Sequence, residues 1–389
     1  MNCKIKLLLI TFCFFTTIFC AQSEPPSIKE IQCSKNYKIR VLLQENKKSD
    51  KSQWIINSSS GFVFVDPEQK SKKKISEQEL IISFKNGKFF INNHALTHKK
   101  FYLYAYEGYL KLNQKEYEGS FLITQDEAAI YLINSIALEE YVCSVLRTES
   151  WPGWPLEVNK AFAIASRSYV IGVILANKKS TLPYHVKNTN KHQTYSGVHT
   201  NQILKEAVYQ TRGIFLAYDS KPIVAMFDAC CGGVIPAHIY GVNFAQAPYL
   251  ARTYACNFCK ECKGYNWYIT YPVEQFEQLL MREYKQFKKL HHIKVSKTDK
   301  AGLVQQIHIK GHNKLFSMTG KKLYSMLAKV RSFCFDISLT AREVIFNGWG
   351  IGHHMGLCQW GAREMVRQGY THKSILSFYY PNTTFMKLA

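Results

Sequence analysis

The sequence predicts an α+β protein, a β-rich N-terminal part followed by a domain of mixed helices and strands. Three observations carry that prediction. The chain has 389 residues, 47% of them apolar, which is enough for two domains and too much for a small disulfide-stapled fold. Between Trp54 and Ile133 short runs of Ile, Phe, Tyr and Val are broken by Gly and Asn, the pattern of short strands and turns. Beyond Leu138 the apolar residues recur at helical spacing instead. The expected division is a leader over residues 1–23, a β-rich region over 24–125 and the mixed domain over 126–389.

Residues 1–23 read as a secretory signal peptide. Lys4 and Lys6 precede the uncharged run Leu7–Phe19, and Ala21-Gln22-Ser23 offers small residues for cleavage. The run is short for a bilayer span. An uncleaved anchor is one alternative; a lipid on Cys20 is another, opposed by the bulk of Phe19. No later run of 18 uncharged apolar residues occurs, so no integral membrane domain is expected beyond the signal peptide. The expected location is the periplasm or cell envelope.

Residues 24–36 are polar, with Pro25-Pro26. Lys38–Leu43 alternates and predicts a strand. Further strands are expected at Phe62–Val65, Leu80–Phe84, Phe89–Ile91, Phe101–Tyr106, Tyr109–Leu112 and Ser120–Ile123. Ala129–Ile133 reads as a buried strand. Leu138–Val145 predicts a short helix and Leu156–Ala176 a long one. The stripe Val158, Phe162, Ala165, Tyr169, Val173 leaves Arg167 about 200° from Ala165 and so pointing away from it. A helix at Val273–Phe287 and two strands around Ala301-Gly302 follow. A Gly-rich loop spans Gly348–Gly356. A short helix runs on through Gln368, closed by Gly369, and Thr371 caps another that ends before Pro381.

Fifty Lys and Arg against 28 Asp and Glu leave a net charge of +22, which calls for an anionic partner or surface, unless it is only a solvated Lys face. Export argues against nucleic acid and for the cell wall, lipid headgroups or another envelope protein. Nine of the twelve cysteines follow Ser23, and five crowd into residues 230–262. Cys256, Cys259 and Cys262 have the spacing of zinc ligands, with Cys230 or Cys231 as a fourth. Disulfides, the default of an oxidising compartment, and free thiols are the other two readings. No cofactor is otherwise expected.

Two clusters could carry chemistry. In Leu138–Pro152, Glu149 sits at a break between helices beside Trp151 and Trp154. A carboxyl against aromatic walls loses hydration and gains a raised pKa, which makes it a usable general acid near neutral pH; an ordinary surface ion pair is the alternative. Glu139 and Glu140 read as ordinary helix carboxylates. In Gly348–Ala362, five glycines in fourteen residues, 348–361, let backbone approach a ligand, with His353, Gln359 and Trp360 for hydrogen bonds and stacking. A purely structural turn competes with that reading. Cys358 with His353 as base is a further, nucleophilic one. The glycine spacing fits neither a dinucleotide nor a P-loop motif.

Together the clusters resemble the SpoIID/LytB family. Its Leu-Glu-Glu-Tyr-Leu, Ser-Glu-Met-Pro and Ala-Ala-Arg-Thr-Tyr motifs are similar to Leu138–Val142, Thr148–Pro152 and Ala165–Tyr169. Thr211-Arg212-Gly213, Gly232-Gly233, Gly348–Ala362 and Tyr379–Asn382 follow in family order. The resemblance covers roughly residues 100–385. It implies a peptidoglycan lytic transglycosylase with a substrate groove. Glu149 would be catalytic, with Arg167, Tyr195, His353, Cys358, Gln359 and Trp360 binding the glycan strand, and a cell-wall amidase a further partner. Some relatives look instead like amidase enhancers that bind wall without cutting. This sequence departs from the pattern at His354, where the family has Gly, and at Cys358, where it has Ser. Ser180, Val186 and His192 occupy the positions of a zinc motif found in some members, so that zinc is not expected.

Overall fold

A computed structural model describes residues 37–48, 52–68, 70–151 and 153–388. The expected signal peptide and the segment 24–36 lie outside them. The described residues form two compact units. One takes in 37–215, 220–224 and 385–388; the other takes in 225–384 with 216–219.

The first unit begins with β1 (Lys38–Lys47), β2 (Gln53–Asn57), β3 (Phe62–Asp66), β4 (Ser71–Ile75), β5 (Glu79–Lys85), β6 (Lys88–Ile91) and β7 (His94–Ala95). It continues with β8 (Lys100–Ala105), β9 (Leu110–Leu112), β10 (Lys115–Tyr117), β11 (Ser120–Gln125), β12 (Ala129–Ala137) and, later, β13 (Val186–Lys187). They build a seven-stranded sheet, β13-β1-β12-β11-β8-β3-β4, and a six-stranded one, β10-β9-β2-β5-β6-β7. Aromatics bridge the sheets: Phe89 packs edge-on against Phe101 at 5.7 Å and Tyr117 against Phe121 at 5.5 Å. β12 is buried over all but its last residue; its apolar run Ala129–Ile133 reads as a strand covered on both faces, and Asn134 and Ser135 are buried with it. The run Lys72-Lys73-Lys74, featureless to a periodicity search, is the exposed edge strand β4. Charged side chains there discourage pairing with another chain.

β12 passes directly into α1 (Leu138–Glu149), followed by α2 (Leu156–Ala176) and α3 (Gln202–Gln210). α2 packs against both α1 and α3. It is long and apolar enough to cross a membrane, yet most of it is buried. Pointing away from the apolar stripe does not bring Arg167 to solvent. It is wholly buried, because α2 is covered on more than the one face that its apolar stripe defines.

In the second unit the strands Asn266–Pro272, Glu343–Trp349 and Phe335–Leu339 form an antiparallel sheet with Glu343–Trp349 in the middle. His292–Thr298, Val304–Lys310 and Leu315–Thr319 form another. A short parallel pair joins Phe227–Asp228 to Leu357–Cys358. The helices α4 (Val273–Glu283), α5 (Gly320–Met326), α6 (Gln359–Arg367) and α7 (His372–Tyr379) complete it. Thr371 caps α7, its hydroxyl accepting the Ser374 N–H, as the sequence predicts. The core centres on Trp267, Phe276, Ile307, Ile309 and Phe346.

Candidate functional site

Glu149 is the last residue of α1 and is half-buried. Residues 193–196 run along one face of that helix. The Tyr141 hydroxyl donates to Gln193 Oε1 at 3.1 Å, and the Ser196 N–H donates to Ser144 Oγ at 3.2 Å. The Thr148 hydroxyl donates to the Thr194 carbonyl at 2.6 Å, and the Thr194 N–H donates to Glu149 Oε1 at 2.9 Å. Positions 141, 144 and 148 share a helix face, so the helical repeat itself aims this segment at Glu149. Beyond the helix, Asn159 pins the turn by donating to the carbonyls of Trp154 at 3.0 Å and Pro155 at 3.2 Å. Burial raises the Glu149 pKa, opposed by the hydrogen bonds from Thr194. Burial and then Glu149 raise the pKa of Tyr169, and Glu149 also adds to the raised pKa of Tyr141. Trp151 is largely exposed and stacks on buried Trp154 at 6.3 Å.

Tyr195 stacks on Tyr141 at 5.6 Å, and its hydroxyl donates to buried Asn134 Oδ1. Asn134 in turn donates to the Glu118 and Ser120 carbonyls at 2.9 and 3.1 Å. Replacing Tyr195 with Phe strands a buried acceptor, so Tyr195→Phe is expected to lose about 1–3 kcal/mol of stability, and a lower urea midpoint checks it; an unchanged midpoint would show that the Asn134 bond carries none of the stability.

Arg167 forms a bidentate pair with Glu139, Nε to Oε1 at 3.0 Å and Nη2 to Oε2 at 2.6 Å. Its Nη1 donates to the Ile214 carbonyl at 2.8 Å, and the Gly213 N–H donates to Glu139 Oε1 at 3.1 Å. Glu139, read from sequence as an ordinary helix carboxylate, is thus the hub of this buried cluster. Beside it a cleft of about 300 Å³ is lined by Glu118, Glu140, Cys143, His199, Lys205 and Arg212. Cys143 Sγ lies 3.2 Å from His199 Nε2. Burial pushes the Cys143 thiol up to about 11 and lowers the His199 pKa, so this pair is neutral rather than a thiolate–imidazolium nucleophile.

In the second unit, the Gly348–Gly356 loop is packed tightly. Ile351 and Cys230 exchange backbone hydrogen bonds at 2.7 and 3.1 Å, and the Gly350 N–H donates to the Tyr265 carbonyl at 2.8 Å. A Cβ on Gly356, at φ +69°, would lie 1.9 Å from the Met226 carbonyl oxygen. Gly356→Ala is expected to cost roughly 1–2 kcal/mol for the left-handed backbone alone, with the overlap added, and a clear fall in Tm checks it. His354, also left-handed at φ +67°, keeps the backbone of the glycine the family pattern has there. Its side chain turns inward, with Nδ1 3.0 Å from the Cys231 carbonyl, and its N–H donates to Asp228 Oδ2 at 2.7 Å. His353 and His354 are both buried, and burial takes each imidazole down to about 4. Cys358 and Gln359 are buried as well, and Trp360 is half-buried with the Arg363 guanidinium 5.2 Å from its ring.

Of the three cysteines singled out by spacing, Cys256 and Cys259 meet Cys231 and Cys358, four buried sulfurs all within 4.8 Å of one another. Cys262 is not of this group; its sulfur accepts the Gly264 N–H at 3.2 Å. Cys358 came to notice as a groove residue, and its membership here is visible only in the fold.

Residues 126–218 match the family described as Stage II sporulation protein, and 249–356 match a domain of unknown function. An uncharacterized protein of Brachyspira hyodysenteriae is 31% identical over 274 residues, covering 69% of this chain and 72% of its own. The Stage II sporulation protein D of Bacillus amyloliquefaciens is 27% identical over 273 residues, 64% of this chain and 74% of that one. The chain belongs to the SpoIID/LytB family. The amidase enhancer of Bacillus subtilis is similar too, 23% identical over 292 residues, 62% of this chain and 39% of that one.

The SpoIID motifs acquire a physical reason from the first unit. Glu139 comes from the Leu-Glu-Glu-Tyr motif, Arg167 from the helix motif and Gly213 from Thr-Arg-Gly, and the three meet at one ion pair. Thr194, which no SpoIID motif quoted above contains, supplies the hydrogen bond to Glu149. Sequence reasoning missed it because a backbone N–H leaves no mark on residue type.

Proposed function

We propose that this protein is exported and acts as a peptidoglycan lytic transglycosylase. It would cleave the bond between N-acetylmuramic acid and N-acetylglucosamine in glycan strands stripped of peptides, with Glu149 as the one acid and base. The observation that carries the reading is the seat of Glu149. Burial favours its protonated form, and the Thr194 N–H is in place to hold the carboxylate once the proton has gone. Hydrolysis by water normally takes two carboxyl groups. One suffices when the substrate's own C6 hydroxyl is the nucleophile. Glu149 gives its proton to the glycosidic oxygen as that bond to C1 breaks. The C6 oxygen bonds to C1, Glu149 takes the C6 hydroxyl proton, and a 1,6-anhydro end is left with the acid restored.

In this reading Arg167 is a positioning residue, since Glu139 and Ile214 occupy its guanidinium. Tyr195 is likewise held by Asn134. The charge of +22 suits a strand bearing a lactyl carboxylate on every second sugar. Binding to it should weaken several-fold between low and physiological salt, which a sedimentation assay reads.

The likeness to an amidase enhancer supports a second reading, a wall-binding module that activates a hydrolase. Mass spectrometry of denuded glycan incubated with the protein separates the two. Anhydro ends support the enzyme; strands bound but intact support the module.

A further inference from the structure

We propose that Cys231, Cys256, Cys259 and Cys358 bind one zinc ion as a tetrathiolate that clamps the glycine-rich loop into the second unit. A zinc 2.3 Å from four sulfurs at the corners of a tetrahedron sets the sulfurs about 3.8 Å apart. Cys231 and Cys259 are 3.8 Å apart, Cys256 and Cys259 are 3.9 Å apart, and no pair exceeds 4.8 Å. Closing the longest edges takes only about 1 Å of movement to reach that geometry. Two disulfides would instead draw the sulfurs together in twos, at about 2.05 Å. A four-iron cluster gives each thiolate its own iron and holds the sulfurs further apart.

The surroundings suit negatively charged sulfur. The N–H groups of Cys231 and Gly361 both point at Cys358 Sγ at 3.3 Å, and the Tyr379 hydroxyl lies 3.1 Å from Cys256 Sγ. Such outer contacts orient thiolate ligands and tune the metal. Arg252, 1% exposed, lies against the Tyr379 ring at 5.8 Å, and its Nε has no hydrogen-bond partner. Four thiolates around one divalent ion carry a net charge of −2. Binding releases whatever protons the four thiols carry to the solvent.

The four ligands come from three places: the turn that follows strand Phe227–Asp228, the loop 256–259 and the residue that caps α6. The ion would therefore fix both sides of Gly348–Gly356 and the start of α6. This explains why Cys358 stands where the family has Ser, a residue that is seldom a zinc ligand.

Metal analysis of the purified full chain should find one zinc per chain. Cobalt exchanged into the wild type should show the visible bands of a tetrahedral thiolate centre. Cys262→Ser and Cys334→Ser should keep full metal content, whereas Cys358→Ser should lose the cobalt spectrum. Tyr379→Phe should keep the site but weaken metal affinity about 10-fold or more. Zinc retained in Cys358→Ser, iron with acid-labile sulfide, or disulfides among the four cysteines in the wild type would each overturn the proposal. None of these readouts depends on cleavage of glycan, so the site stands or falls apart from the proposed activity.

Discussion

Glu149→Gln is expected to lower the formation of anhydro ends by about 10²–10⁴-fold, while the protein stays folded and binds glycan as before. The Gln side chain has the same shape and still offers an oxygen to the Thr194 N–H, which donates to Glu149 Oε1 at 2.9 Å. What it lacks is the proton to give and the charge that takes one back. Stability should hold or improve, because burial already disfavours the Glu149 charge. The pH profile carries a second check. The reactive form is the protonated one, so wild-type activity falls as pH rises through the Glu149 pKa. With that pKa raised by burial, the alkaline limb should lie above the ordinary glutamate range. Full activity in Glu149→Gln, measured by mass spectrometry of digested denuded strands, rules out the catalytic role. An alkaline limb at an ordinary glutamate value rules out the contribution of burial.

Much of this architecture is legible in the sequence, and the failures share one cause. α2 is found at its full extent, Leu156–Ala176, because Pro155 opens it and a long apolar repeat continues it. The first part of β12, Ala129–Ile133, is found because it is buried and apolar without a break, whereas buried Asn134 and Ser135 interrupt the run and hide the rest of the strand. β4 escapes because lysines on an edge strand have no period. The pairing of Arg167 with Glu139 escapes because its partners lie 28 residues apart on two helices, each of which can be read only by itself. The cysteines show the same thing. Spacing selects Cys256, Cys259 and Cys262 with Cys230 or Cys231 as a fourth, whereas the fold brings Cys231, Cys256 and Cys259 together with Cys358 and leaves Cys262 out. Periodicity reports what a segment buries, but not what it is buried against. Its motif and the break between helices single out Glu149 in the sequence. Two phenols that sequence adjacency does not suggest, Tyr141 and Tyr169, sense its charge as well.

Breaking the Arg167–Glu139 pair should be the most damaging single change to the first unit. Arg167 is wholly buried and the Glu139 side chain is 13% exposed, so solvent offers little relief to either charge left alone. Removing one partner of such a pair costs about 3–5 kcal/mol, a large share of the stability of an ordinary domain. Glu139→Ala strands the guanidinium and also deprives the Gly213 N–H of its acceptor. Arg167→Lys is not a conservative rescue, because one ammonium cannot reproduce the fork that reaches both carboxylate oxygens and the Ile214 carbonyl. Both variants should unfold at clearly lower urea than the wild type. A double variant, Glu139→Leu with Arg167→Met, should recover a good part of the loss, since replacing both charges removes the burial penalty that either one alone incurs. If the double variant is no better than Glu139→Ala, the cluster is needed for geometry rather than for charge balance. That outcome would move the role of Arg167 from holding the helices together to shaping the turn at Gly213, three residues of chain that the family motif spells out.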